Sequence, residues 1–131
     1  MGRIRTETKI NGRQCWTLFD SGSRNTYIVS EAAQGLELKD LPSPRATALG
    51  GKVHAVNQVC LLFAEIEDHG LETLARVVDE IGDDEDGRPI EILFGALSMQ
   101  EWGIRLDLQN EKLDWTRYTT DFVEFWLDRR H

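Results

Sequence analysis

Residues 17–23 read Thr17-Leu18-Phe19-Asp20-Ser21-Gly22-Ser23, an apolar run that ends in a carboxylate and continues into hydroxyl residues around a glycine. This pattern is typical of a buried strand that delivers one Asp side chain into a tight, hydrogen-bonded loop. Asp, Ser and Gly also dominate ordinary surface turns, for local reasons. The stretch alone therefore allows two interpretations, a functional loop or a plain turn, and the rest of the chain has to decide between them.

The residues before this stretch predict a β-hairpin. Arg3 to Ile10 and Arg13 to Phe19 have strand composition, and Asn11-Gly12 lies between them. An Asn-Gly pair favours a two-residue hairpin turn because both central residues need positive φ. The second arm is apolar on both faces, which predicts a central strand of the sheet.

The residues after Ser23 predict further strands and a short helix, from their β-branched runs, capping residues and glycines. The predicted elements are a strand at Thr26–Val29, a brief helix at Glu31–Leu36 capped by Ser30, an exposed connection at 41–44, a long hairpin at 46–66, strands at Leu71–Val78 and Ile90–Gly95, a helix at Ala96–Trp102 ended by Gly103, and a closing hairpin at Ile104–Trp115.

The long hairpin has the glycine-rich tip Leu49-Gly50-Gly51. On its return arm we expect Val53, Ala55, Val59, Leu61 and Phe63 to share one face, residues 59–64 to lie in the core, and the polar residues His54, Asn57 and Gln58 to be exposed. A hairpin with a glycine-rich tip and a buried base is a candidate flap, although a plain surface hairpin would have the same pattern.

Composition limits the classes of function. The chain has 131 residues, the size of one domain, and a net charge of -8, which argues against binding to nucleic-acid phosphates. Cys15 and Cys60 lie in apolar runs and are expected to be buried free thiols. We expect no membrane span and a cytoplasmic protein, because no long apolar run and no signal peptide are found. The acidic run at 83–86 lacks calcium-loop spacing and is predicted to be a solvated loop, and we expect no metal and no cofactor.

Taken in order, these elements resemble the retropepsin-like aspartic proteases, the single-domain relatives of pepsin. The resemblance covers residues 3 to about 115. It rests on Leu18–Ser23 continued by Asn25–Ile28, and on Ile92–Leu97 followed by Gly103–Asp107. It implies a mainly β fold: a closed β-barrel of the retropepsin type with a flap hairpin and one or two short helices. We expect this domain at residues 1–116 and a C-terminal helical extension at 117–131, where Asp121 and Glu124 match a capping box.

The resemblance also implies roles for individual residues. Asp20 matches the catalytic aspartate, Ser21 the hydroxyl residue that locks two loops together across a dimer, and Gly22 the glycine that allows close approach of the backbone. The residues implied to bind substrate are Ser23, Arg24 and Asn25 beside the loop and Leu49, Gly50 and Gly51 at the flap tip, and those implied to support the loop are Leu93, Phe94 and Gly95. Two positions depart from the family pattern: Ser23 replaces a usual alanine, and Ala96 replaces the Arg or Asn of viral members, which puts the viral style of subunit pairing in doubt.

Only one Asp-Ser/Thr-Gly motif is present in the sequence. An aspartic protease needs two carboxylates that face one water and share one proton, since close like charges cannot both ionise. One motif per chain therefore implies a twofold homodimer with Asp20 of each subunit at the axis, acting on a polypeptide substrate.

Three hypotheses follow for the function. The first is an aspartic endopeptidase. The second is a catalytically silent retropepsin-like module for dimerisation or peptide binding, against which the intact Asp20-Ser21-Gly22 argues. The third is an unrelated acidic β-barrel that binds a small ligand, which a monomeric protein in solution would favour.

Overall fold

The computed structural model describes residues 2–120, which form nine strands and one helix. The elements are β1 Arg3–Ile10, β2 Arg13–Asp20, β3 Tyr27–Val29, β4 Leu38–Leu49, β5 Lys52–Ile66, β6 His69–Val78, β7 Ile92–Phe94, α1 Ala96–Trp102, β8 Arg105–Asp107 and β9 Lys112–Asp114. The predicted mainly β class is confirmed. Within residues 2–120, no helix combines the length and apolar character needed to cross a membrane. The predicted capping box, and the extension from residue 121 onward, lie outside the described residues.

Seven strands form one sheet in the order β1-β2-β7-β3-β6-β5-β4. The β2–β7 and β3–β6 pairs are parallel, and the other neighbours are antiparallel. β1 also pairs with β5 at two positions, Lys9↔Glu65 and Ile10↔Ala64, which links the first strand to the other half of the sheet. Closure of the sheet into a barrel stays a prediction.

The first hairpin forms as predicted. Asn11 and Gly12 have φ values of 50° and 80°, the positive values that a two-residue turn of this kind needs. The pairing is continuous from Ile10↔Arg13 to Arg3↔Asp20, so β1 runs beside β2 along its whole length.

The two faces of β2 pack into two separate apolar clusters. On one face, the buried rings of Phe19 and Phe94 lie 4.9 Å apart, centroid to centroid, within the larger cluster. On the other face, Leu18 packs in a smaller cluster with Tyr27 and Leu93. The burial of both faces stabilises β2 as an interior strand, between β1 and β7, because large buried side chains stabilise by burying apolar area.

Two local predictions were wrong. Residues 31–36 form consecutive turns rather than a helix, with the Ala33 N–H donating to the Val29 carbonyl and the Leu36 N–H to the Ala33 carbonyl. Gly35, at φ 85°, breaks the segment before a stable helix could nucleate. Residues 42–44 are exposed, as expected, whereas Leu41 is partly buried; all four belong to β4, where the register shifts between Asp40 and Arg45.

The burial predicted for β5 was only partly right: Val53, Ala55, Val59, Leu61 and Phe63 share one face, as predicted, but that face is mostly exposed, so Leu61 and Phe63 lie outside the core. Val53, Leu61 and Phe63 are 76%, 48% and 63% exposed, whereas His54, at an alternate position, is buried. The buried positions on this strand include Val56, Cys60, Leu62, Ala64 and Ile66. β5 is apolar at both phases, so its periodicity did not specify which face is buried; pairing with β4 and β6 decides it.

The acidic loop is exposed at Asp83, Glu85 and Asp86, as predicted, but Asp84 anchors it. The Asp84 side chain is 3% exposed and accepts hydrogen bonds from the N–H groups of Asp86 and Arg88, at 2.8 and 2.9 Å, and from Trp16 Nε1, at 2.8 Å. These bonds, led by that from Arg88, lower the pKa of the Asp84 carboxyl. Asp84 thereby fixes the loop to β2, and Arg88 of the same loop forms an ion pair with Glu7 of β1.

Cys15 and Cys60 are buried free thiols, as predicted, and burial raises the pKa of each from 9.0 to about 11. At neutral pH this lowers the thiolate fraction about 100-fold, and only the thiolate reacts. We expect the folded protein to react with a disulfide reagent at pH 7.5 at least about 100-fold more slowly than the protein unfolded in guanidinium, where two thiols should titrate. Rapid, stoichiometric labelling of the folded protein would contradict this prediction.

Candidate active site

The carboxylate of Asp20 lies at the end of β2 and is almost buried, at 6% exposure. Its Oδ1 accepts the N–H of Gly22 at 2.8 Å, and its backbone carbonyl accepts the N–H of Ser23 at 3.1 Å. Oδ2 lies 3.4 Å from Nε of Arg3. The carboxylate is therefore fixed by its own turn on one side and by a guanidinium on the other.

The parallel pairing of β2 with β7 brings the two sequence motifs together. Thr17 pairs with Ile92, and Phe19 pairs with Phe94, so both strands end at the same edge of the sheet. The loop after Asp20 consequently meets the segment that begins at Gly95. Leu93, Phe94 and Gly95, predicted to support the loop, do lie beside it.

The first turn of α1 binds the backbone of this loop. The N–H groups of Ala96 and Leu97 donate to the carbonyls of Ser23 and Arg24, at 2.6 and 3.1 Å. The first N–H groups of a helix have no partner within the helix, so the loop satisfies two of them. These two carbonyls are therefore already engaged before any substrate arrives.

Gly95 is required by the closeness of this contact. A Cβ at residue 95 would lie 2.2 Å from the carbonyl oxygen of Asn25 and 2.9 Å from the carbonyl carbon of Arg24. Both are backbone atoms, which cannot rotate away. Only glycine lets the loop and the strand end pack this closely.

Three buried hydroxyl groups extend the connection into the sheet. Thr26 Oγ1 accepts the Gly95 N–H at 3.0 Å and lies 2.7 Å from Ser98 Oγ, which lies 2.6 Å from Thr73 Oγ1. This series of hydroxyl groups joins the loop, α1 and β6 in a buried, hydrogen-bonded network. Sequence reasoning missed it, because the three residues come from distant segments.

Ser21 is bonded to the start of its own chain. The Gly2 N–H donates to Ser21 Oγ at 3.0 Å, and the Ser21 N–H donates to the Gly2 carbonyl at 3.0 Å. The predicted role of this hydroxyl, locking two loops across a dimer, stays a prediction. Gly22 contributes its N–H to Asp20, as described above.

Arg3 was also missed, although the sequence contained the signal. In a two-residue hairpin centred on Asn11-Gly12, residue numbers of paired positions add up to 23, as Ile10 and Arg13 do. Because 3 and 20 also add up to 23, Arg3 lies opposite Asp20. The register of the hairpin thus predicts a cation beside the candidate catalytic carboxylate.

The candidate flap, β4 and β5 with their turn, packs on the strands that carry the loop. Leu49 is buried in the same cluster as Leu18 and Leu93, one residue from each of the two motifs. Gly50 and Gly51 have φ values of 56° and 82°. The hydroxyl groups of Tyr27 and Thr47 are 2.8 Å apart and form a further link to β3. The long hairpin and its Gly-Gly tip are confirmed as structure, and their role as a flap stays a prediction.

His54, predicted to be exposed, is buried at the base of the turn, where its Nδ1 lies 2.8 Å from Oδ1 of Asp79. The hydrogen bond from His54 is the main cause that lowers the pKa of the Asp79 carboxyl. The carboxylate therefore stays ionised to lower pH than an ordinary Asp. Lys52 and Glu80 form an exposed ion pair nearby, at 2.7 Å.

Among residues 2–120, no group of three or more His, Cys, Asp or Glu side chains is arranged to hold a metal ion. The groups gathered at the end of β2 are one carboxylate, one guanidinium, hydroxyl groups and backbone N–H groups. Such groups serve acid–base and hydrogen-bonding chemistry.

Comparisons with known proteins agree with this geometry. A sequence profile described as aspartyl protease matches residues 6–96, which is 91 of 131 residues and includes the first motif and residues 92–96 of the second. No curated protein matches the sequence.

Two solved structures share the fold. The retroviral protease-like domain of Ddi1 from Leishmania major has a TM-score of 0.62 and 13% identity, over 87% of this chain and 88% of that one. The EIAV protease in complex with the inhibitor HBY-793 has a TM-score of 0.58 and 15% identity, over 82% of this chain and 94% of that one. With the profile match, these likenesses show that the chain belongs to the retropepsin-like aspartyl protease family.

Proposed function

We propose that the protein is an aspartic endopeptidase that works as a homodimer, with Asp20 of each subunit at the twofold axis. The observation that carries this proposal is the position of Asp20. It is a nearly buried carboxylate in an Asp-Ser-Gly turn, held at the meeting point of β2, β7 and α1. A buried carboxylate is costly unless it is hydrogen-bonded or paired; Asp20 accepts the Gly22 N–H and faces Arg3, whose side chain is exposed.

The proposed chemistry needs two carboxylates and one water. The ionised Asp20 takes a proton from the water as the water oxygen attacks the scissile carbonyl carbon, and the protonated Asp20 of the other subunit donates its proton to the carbonyl oxygen. The resulting diol then collapses: the carboxyl that gained the water proton donates it to the leaving nitrogen, the C–N bond breaks, and the other carboxylate takes a proton from a diol hydroxyl, which restores the shared proton. The Gly22 N–H keeps each carboxylate oriented throughout.

Arg3 would act as a positioning residue in this scheme. Its guanidinium lies 3.4 Å from Oδ2 of Asp20, and its side chain is 60% exposed. A positive charge at this distance offsets part of the repulsion that arises when a second carboxylate approaches. The exposure of Arg3 leaves it free to shift as the dimer assembles.

The proposed substrate is an extended polypeptide held between the candidate flap and the loop after Gly22. Recognition would combine main-chain hydrogen bonds with side-chain pockets. Because the carbonyls of Ser23 and Arg24 already accept bonds from α1, we expect the exposed side chain of Arg24, and Asn25, to make the contacts on this side.

A second candidate function is a catalytically silent module for dimerisation or peptide binding. The observation that favours it is the Arg3–Asp20 ion pair, which occupies one carboxylate oxygen within a single chain. If Arg3 does not shift in the dimer and instead fills the space between the two carboxylates, they cannot share a water.

The test is cleavage of a mixed peptide library between about pH 4 and pH 7 over a series of protein concentrations, with the dimer measured in parallel by sedimentation. We expect cutting that is strongest at acidic pH. Its rate should rise with the square of protein concentration while the chain is mostly monomeric, and linearly once it is dimeric. Cutting by the monomer would overturn the shared dyad, and a stable dimer that does not cut would establish the silent module.

A further inference from the structure

The outer face of β5 and β6 carries an apolar surface that the described residues leave open. Leu61 and Leu74 are direct partners on these strands, and Phe63 lies two residues from Leu61. Leu97 of α1 is also exposed, and with Leu61 and Leu74 it lines a cavity of about 540 Å³ between the helix and the sheet. We call these four side chains, Leu61, Phe63, Leu74 and Leu97, the outer apolar groove.

A neighbouring cavity of about 440 Å³ continues the groove along β6. It is lined by Phe63, Gly70 and Glu72, among others, and Glu72 also lines the first cavity. The groove therefore runs along the strand from Gly70 toward Leu74. Contiguous exposed apolar surface of this kind marks a contact site.

The described chain ends beside this groove. The Tyr118 hydroxyl donates to the Gly70 carbonyl at 2.6 Å, and its ring packs edge-on against His69, with centroids 4.7 Å apart. Gly70 lines the near end of the groove. The eleven residues that follow residue 120 therefore start close to that end.

The length of these residues fits the groove. As an α-helix, eleven residues are about 16 Å long, at 1.5 Å each. The four steps from Gly70 to Leu74 along β6 span about 13 Å. The segment can thus cover the groove without unfolding any described element.

The composition of the segment also fits. Residues 121–131 read Asp-Phe-Val-Glu-Phe-Trp-Leu-Asp-Arg-Arg-His, and Phe122, Val123 and Trp126 fall on one helical face. The basic end, Arg129-Arg130-His131, is opposite in charge to Glu101, which lines the same cavity as Leu74; Arg76 also lines that cavity. Both an apolar face and a matching charge are present in the same eleven residues.

We propose that residues 121–131 bind the outer apolar groove of their own chain and hold α1 against β6. The contact supports the candidate active site, because α1 holds the loop after Gly22 through Ala96 and Leu97. The proposal does not depend on catalysis, so it can be tested on the protein whether or not it cuts peptides.

The test is a double-mutant cycle on the full chain, read by thermal unfolding. Trp126→Asp and Leu74→Asp should each lower Tm by about 5 °C, and the double variant should lose no more than the larger single loss. Val53→Asp is the matched control, an equally drastic change at a more exposed position in the flap hairpin, and should shift Tm by less than about 1 °C. Additive losses, or no loss from Trp126→Asp, would overturn the proposal.

A labelling measurement decides which chain supplies the segment. In a Leu74→Cys variant, a maleimide should react about tenfold more slowly than in Leu74→Cys with Trp126→Asp, because the segment covers the thiol. The difference should be the same at about 1 and about 100 µM protein. Equal rates would overturn the proposal, and protection only at the higher concentration would assign the segment to a second copy, which also overturns it.

Discussion

Replacing Asp20 by Asn should abolish peptide cleavage, with a loss of at least about 10³-fold, while the fold and the dimer remain. An amide of the same shape keeps an oxygen that can accept the Gly22 N–H, but it can neither take a proton from water nor hold the shared one. The ion pair with Arg3 is lost as well, yet Arg3 is exposed enough to be solvated. Cleavage, Tm and sedimentation of the dimer should be measured on the same samples.

Asp107→Asn is the matched control, because Asp107 also ends a strand but lies in a surface turn with Asn110. It should retain full activity. Mixed dimers give a sharper test of the shared dyad: an equal mixture of wild type and Asp20→Asn, allowed to exchange subunits, should keep about a quarter of the wild-type activity. Retention of half would mean that each chain cuts alone, and undiminished activity of Asp20→Asn would remove Asp20 from the mechanism.

Replacing Gly95 by Ala should disrupt both stability and activity. The added methyl group would sit 2.2 Å from the Asn25 carbonyl oxygen, so either the loop or β7 must move. Overpacking in a well-packed site ordinarily destabilises a protein by about 1–3 kcal/mol. A clash with fixed backbone should cost at least the upper value of this range, which corresponds to a Tm loss of about 10 °C or more. Because the loop carries Asp20, the protein that still folds should cut poorly.

Gly70→Ala is the matched control for this prediction. A Cβ at residue 70 meets no atom within 4 Å. The control should therefore shift Tm by no more than about 2 °C. A stable, fully active Gly95→Ala protein would show that the loop tolerates displacement and that its close packing is not what positions Asp20.

The parts of the structure that follow from local pattern were predictable from the sequence. Asn11-Gly12 specified a hairpin, and the register of that hairpin specified Arg3 as the neighbour of Asp20. The two motifs that end β2 and β7 were recognisable because each is a short apolar run with a characteristic ending. Gly103 marked the end of α1, and it has the left-handed φ of 72° that such a position needs.

Other features depended on contacts that no local pattern encodes. Both phases of β5 are apolar, so which of His54 and Val53 is buried is decided by the strands on either side. The hydrogen-bonded hydroxyl groups belong to residues 26, 73 and 98, which only the tertiary structure brings together. The acidic sequence of the loop predicts exposure to solvent, and its anchor, Asp84, is distinguished by the Trp16 side chain and the Asp86 and Arg88 N–H groups that reach it.

The parallel pairing of β2 with β7 has a consequence for the order of folding. Thr17 and Ile92 are neighbours in the sheet but 75 positions apart in the chain. Joining such distant segments carries a large loop-closure entropy, which local hairpins such as β1–β2 avoid, and it tends to come late. A chain still emerging from the ribosome can form its first hairpin, with Asp20 at the end, but not the loop geometry that β7 and α1 impose. The candidate protease thus acquires its active geometry only after most of its chain has been made and folded.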